Sequence, residues 1–95
     1  MARWKKLLAR IAVDPKPVGY SYDDVAAILG ALGFVRSGGK GSHRVWTRQP
    51  DGSATLRVTL VDPASGPVAK VYIREMAKIL REAGLMPSEP DEEEM

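Results

Sequence analysis

The sequence predicts an α+β fold, a three-stranded antiparallel sheet with helices packed on one face, and three observations predict it. Apolar residues recur at a helical period twice before residue 33; the period drops to two for three short runs between residues 34 and 61; a helical period returns from residue 72. A chain of 95 residues with 44% hydrophobic content supports one core and little else. A single layer of helices on a small sheet is the economical way to build that core.

The first helix is expected over Arg3–Val13, where Trp4, Leu7, Leu8 and Ile11 fall on one stripe. Pro15 and Pro17 end it, because proline has no N–H and disfavours helix in the residue before it. A docked amphipathic helix is the reading adopted, with a membrane-surface helix as the alternative. A second helix begins near Ser21, whose hydroxyl can cap the first turn, and Asp23 and Asp24 suit its positive end. Tyr20 can staple the helix start against the core. Val25, Ile28, Leu29 and Leu32 form the buried stripe, and Gly33 stops the helix.

Phe34–Arg36 is read as a short strand, residues 37–42 as a turn, and His43–Arg48 as the second strand. A hairpin turn over residues 50–53 leads to a third strand over Thr55–Val61. There Leu56, Val58 and Leu60 point one way and Thr55, Arg57 and Thr59 the other. The sheet should therefore have one covered face and one open, cationic face, and Arg44, Arg48 and Arg57 have a bland reading as a solvated sheet face. After a loop over residues 62–67, the last helix is expected from Tyr72 to Ala83. Ile73, Met76, Ala77 and Leu80 are its stripe and Gly84 its stop.

Residues 1–87 thus read as one domain, with a helical extension over 3–13, a core over 20–86 and an acidic, disordered tail over 88–95. That tail holds five of the twelve acids, so the remainder carries fourteen Lys and Arg against seven Asp and Glu. A body of net charge +7 attracts polyanions, nucleic acid first among them. The tail's opposite sign suits transient screening of that body. With no cysteine and one histidine, disulfides, thiolate zinc sites, cysteine nucleophiles and multi-histidine metal cages are excluded, and no cofactor is expected. No segment has the length of a bilayer-spanning helix. Arg10 and the Asp14–Pro17 segment interrupt what would otherwise resemble a secretory signal, so a cytoplasmic protein with no membrane partner is expected.

The residues with chemical potential are Gly38-Gly39-Lys40-Gly41-Ser42-His43-Arg44. Three glycines in four positions let the backbone approach a ligand and offer N–H groups to an anion. The spacing is not that of a Walker loop, and a strand follows rather than a helix. Lys40 and Arg44 add fixed positive charge beside His43. Such a set suits RNA cleavage, in which the ribose 2′-hydroxyl is the nucleophile and the protein need only move protons and stabilise charge at phosphorus. A neutral imidazole accepts a proton near pH 7. The bland alternatives are an ordinary hairpin with a surface histidine and a solvated arginine face. Trp46 either stacks on a base or, the reading favoured, packs in the core. If Val45 faces the helices, His43 lies on that side; if Trp46 does, His43 faces solvent.

At these residues the chain resembles the HicA family of type II toxins, small bacterial and archaeal mRNA interferases. The resemblance runs from about Ser21 to Leu85. It rests on a helix ending in Leu32-Gly33-Phe34, on Lys40-Gly41-Ser42-His43, on the arginine- and aromatic-bearing strand, on a strand rich in Val and Thr, and on Met76 to Leu85 with its closing Ala83-Gly84-Leu85. It implies a double-stranded-RNA-binding-domain-like fold and an endoribonuclease that needs no ribosome, while the histidine-base chemistry itself calls for no metal. It also implies a HicB-type antitoxin covering the site, with the chain monomeric when free and hetero-oligomeric with its antitoxin. His43 takes the place of the essential histidine, and Gly41 and Ser42 shape its loop. Lys40 and Arg44 are then expected to stabilise the phosphorane, with Arg36, Arg48 and Arg57 as RNA-backbone contacts. Two departures stand out. Val71-Tyr72-Ile73 replaces the family's frequent Gly-Thr-Leu, and Val61-Asp62-Pro63 lacks the further histidine some members carry, leaving water or another residue as general acid. A non-catalytic RNA-binding module and a basic adaptor for an acidic protein are the competing functions.

Overall fold

The structure, a computed structural model, describes residues 3–14, 16–49 and 55–87. Their order is α1 (Arg3–Val13), α2 (Tyr22–Ala31), β1 (Val35–Gly38), β2 (His43–Arg48), β3 (Leu56–Val61) and α3 (Lys70–Glu82). The strands form one antiparallel sheet in the order β1-β2-β3. This is the expected α+β architecture, and its arrangement agrees with the double-stranded-RNA-binding-domain-like fold. The hairpin turn expected at 50–53 and the acidic tail at 88–95 lie outside the described residues, as does Pro15.

The helices start and stop for local reasons. Ser21 caps α2, its hydroxyl oxygen accepting the Asp24 N–H at 3.0 Å. At the other end Gly33 sits at φ +93°, the Phe34 N–H donates to the Leu29 carbonyl at 2.9 Å, and the Gly33 N–H donates to Gly30. That pair of bonds closes the helix while turning the chain into β1. α3 ends the same way, with Gly84 at φ +76° and the Leu85 N–H donating to Leu80 at 2.8 Å. Its start differs from expectation: α3 begins at Lys70, two residues early, because Ala69 serves as a cap without any side-chain bond. A cap of that kind leaves no mark in a sequence.

One core joins all the layers. Leu7, Leu8 and Ile11 of α1 are buried with Val25, Ile28 and Leu29 of α2, Val58 and Leu60 of β3, and Ile73, Met76 and Leu80 of α3. The apolar side of α1 is consumed by this core, so the helix is docked rather than presented to a membrane. None of the described helices is long and apolar enough to cross one. The Arg3 guanidinium lies 3.4 Å from the Asp24 carboxylate, and Arg81 of α3 donates to the Ala12 carbonyl at 3.4 Å, so α1 is tethered near both ends. The Val68 N–H donates to the Tyr20 carbonyl at 2.8 Å, tying the lead-in to α2 against the lead-in to α3.

Candidate active site

Strand register decides which way the site residues face. Trp46 is paired with Val58, Arg44 with Leu60 and Arg48 with Leu56, so these side chains share the covered side of the sheet. His43 is paired with Val61, Val45 with Thr59 and Thr47 with Arg57, so His43 belongs to the open side. Trp46 packs against the core, which settles its two readings in favour of packing.

The same parity corrects the expected cationic sheet face. Arg44 and Arg48 lie an even number of residues from Trp46, and burying the indole carries them to the helix side. Among the described residues, the open face holds Val35, Val45, Val61, Thr47 and Thr59 together with His43, and Arg57 is its one Lys or Arg. Val35 there is 65% exposed.

Positive charge gathers instead at the end of the sheet. An open depression of about 330 Å³ is bordered by Arg36, Ser37, Gly38, Gly39, His43 and Arg44. The structure therefore brings His43, Arg36 and Arg44 together. Lys40, Gly41 and Ser42 complete the exposed turn, which is closed by the His43 N–H donating to the Lys40 carbonyl at 2.9 Å. Strand β1 runs further than expected, to Gly38, because its register slips between Arg36 and Gly38. That bulge at the rim bends the edge strand beside the depression. Arg57 and Arg48 are not part of it. Counting along β2 at about 3.3 Å per residue, they sit roughly 13 Å and 17 Å from His43, Arg57 on its face and Arg48 on the other.

Two residues have positions whose importance the sequence did not reveal. Gly39 adopts φ +123°, and a Cβ placed on it would lie 2.1 Å from the His43 carbonyl oxygen, far inside contact distance. Gly41, at φ +60°, has open space where a Cβ would go. The cluster of glycines was visible, but which one is sterically obligatory depends on a fold-back that no spacing encodes. Asp62 is the other. Its N–H donates to the Ser42 carbonyl at 2.8 Å, and its carboxylate lies 3.9 Å from the Arg44 guanidinium. A second depression, of about 340 Å³, lies on the far side of Asp62 between Ser21–Asp23 and Asp62–Gly66, and has no histidine. No group of three or more metal-ligating side chains occurs among the described residues.

Chemically, the first depression offers one proton acceptor, an imidazole open to solvent, beside several cations and a glycine-rich backbone. Arg36 and Lys40 are exposed and have no partner among the described residues, so both can meet an anion. Compared with known proteins, residues 22–85 match the family described as the HicA toxin of bacterial toxin–antitoxin systems. Neither a curated protein nor a solved structure matches the chain.

Proposed function

Because this chain belongs to the HicA toxin family, and its partner is accordingly an antitoxin, we propose that it is an mRNA interferase, an endoribonuclease that uses His43 as general base. The observation that carries the proposal is the position of His43, exposed where the glycine turn becomes β2 and bordering one depression with Arg36. A long, flexible polyanion needs an open, cationic site of this kind rather than a deep pocket.

RNA lies across the end of the sheet with a phosphate against Arg36 and Lys40. The neutral His43 imidazole takes the proton of the ribose 2′-hydroxyl. The 2′-oxygen attacks the adjacent phosphorus, and the bond to the 5′-oxygen breaks. Negative charge that builds on the non-bridging oxygens is stabilised by the two cations and by backbone N–H groups of the turn. The departing 5′-oxygen takes its proton from water, which the open site admits, since the chain has no second histidine, and the hydroxide left behind removes the proton from the His43 imidazolium. The antitoxin, a HicB-type protein, silences the enzyme by covering this end of the sheet. RNA reaching the site in a cytoplasmic setting completes the picture.

Induction in a bacterial host without the antitoxin tests the assignment. The wild type is expected to arrest growth with loss of intact mRNA, and His43→Ala to grow normally at equal expression. Equal growth and intact mRNA with both folded proteins would reject catalysis.

A further inference from the structure

We propose that Arg44 is a positioning residue that, with Asp62, clamps the loop carrying His43, and that it is not an RNA contact. The proposal rests on the reading of His43 as the base and departs from the expectation that every arginine at the site meets phosphate.

The Arg44 guanidinium is turned back into its own chain. It donates to the Gly41 carbonyl and lies 3.5 Å from the His43 carbonyl. On its other side stands the Asp62 carboxylate at 3.9 Å. The Arg44 side chain is only 25% exposed. Its partner is itself fixed: the Asp62 N–H donates to Ser42 at 2.8 Å, and the Asp62 carboxylate accepts the Ala64 N–H at 3.0 Å. Three successive loop residues, Gly41, Ser42 and His43, thus have their carbonyls turned toward Arg44 or Asp62. Gly39 closes the arrangement from below, its backbone lying against the His43 carbonyl and the Arg44 Cα.

This geometry answers a need of the loop. Residues 38–41 hold three glycines, which gain more freedom on release than other residues, so the loop has a strong entropic tendency to loosen. His43 must still present its ring within hydrogen-bond reach of a 2′-hydroxyl, and small misplacements are costly to catalysis. A planar guanidinium with several donors can hold carbonyls and a carboxylate together. An arginine so engaged has little left to offer a phosphate, whereas Arg36 and Lys40 have no such ties.

Arg44→Gln, Arg44→Lys, Asp62→Asn and the Arg44→Gln/Asp62→Asn double variant of the full chain test the clamp by two independent readouts. In amide hydrogen exchange, the His43 and Asp62 amides of Arg44→Gln are expected to exchange faster, while α2 and α3 amides keep their protection and report an intact fold. In RNA cleavage, kcat is expected to fall about tenfold to 100-fold with KM and the salt dependence of binding unchanged. Arg44→Lys, which keeps one donor for Gly41, should recover part of the rate. The double variant should be no slower than Arg44→Gln alone. A raised KM with the salt slope reduced by about one, at unchanged exchange, would make Arg44 a phosphate contact and overturn the clamp. Absence of cleavage by the wild type would overturn the nuclease reading instead, and the exchange rates would still decide whether the clamp exists.

Discussion

His43 works, in this account, because a strict sequence of neighbours leaves its ring on the outside. Parity with Trp46 sends it to the open face, and Gly39 allows the turn to fold back on it. The two kinds of glycine in the turn should separate cleanly. Gly41→Ala, with space for its methyl, is expected to cost about 1–2 kcal/mol from the left-handed backbone alone and to leave measurable cleavage. Gly39→Ala drives a methyl into a backbone oxygen, which no rotamer change relieves, so it should cost more than Gly41→Ala and abolish cleavage. Denaturant melts and cleavage rates of the two variants check this; equal behaviour would mean the fold-back is wrong. At this scale much of the candidate site was legible. His43, Lys40 and Arg44 stand out by residue type and spacing beside the glycines, whereas Arg36 was one strand arginine among three. The direction of each side chain was not legible, because β2 alternates His, Val and Thr with Arg and Trp and neither set is purely apolar. Asp62 was hidden for a different reason, since it meets the loop only through strand pairing across the sheet.

At the scale of elements, the sequence marks those boundaries where side chains or glycines perform the capping. Ser21, Gly33 and Gly84 fall where expected, while the start of α3 at Ala69 carries no such mark. The joint between α1 and α2 makes its own prediction. Tyr20 is buried there, its hydroxyl donating to the Asp14 carboxylate at 3.3 Å and the Arg10 guanidinium 5.6 Å from its ring. Burial raises its pKa above the ordinary tyrosine value, the Asp14 carboxylate adding to that rise and Arg10 opposing it. The fold thus favours the neutral phenol. This stabilisation is fully present below the unfolded-state value of about 10 and is lost as pH rises through the higher folded value. Thermal melts between pH 8 and 11 should show alkaline destabilisation that Tyr20→Phe reduces. An identical alkaline decline in both proteins would place its origin elsewhere.

Across the whole molecule, the charge arithmetic points to a polyanion as partner, and the strand register moves the surface that would meet it. The basic residues are spread over α1, α3 and the end of the sheet rather than lining a cationic sheet face, and the open face is mainly Val and Thr. RNA binding should therefore respond to salt through the cations at the sheet end. Replacing Arg36 or Lys40 with alanine is expected to reduce the slope of log K against log salt by about one each. An unchanged slope in both variants would remove them from the RNA path. The overall architecture was legible because periodicity, caps and turn chemistry agree; long-range pairing, which sets faces and loop contacts, is what the linear pattern omits.

The most direct measurement compares purified wild-type protein and His43→Ala, matched by circular dichroism, on an oligoribonucleotide and on its 2′-deoxy counterpart at the cleaved positions. Cleavage is expected only by the wild type and only of the ribose-bearing strand. Cleavage by His43→Ala at the wild-type rate, or of the 2′-deoxy strand, would rule out His43 as the base that activates a 2′-hydroxyl.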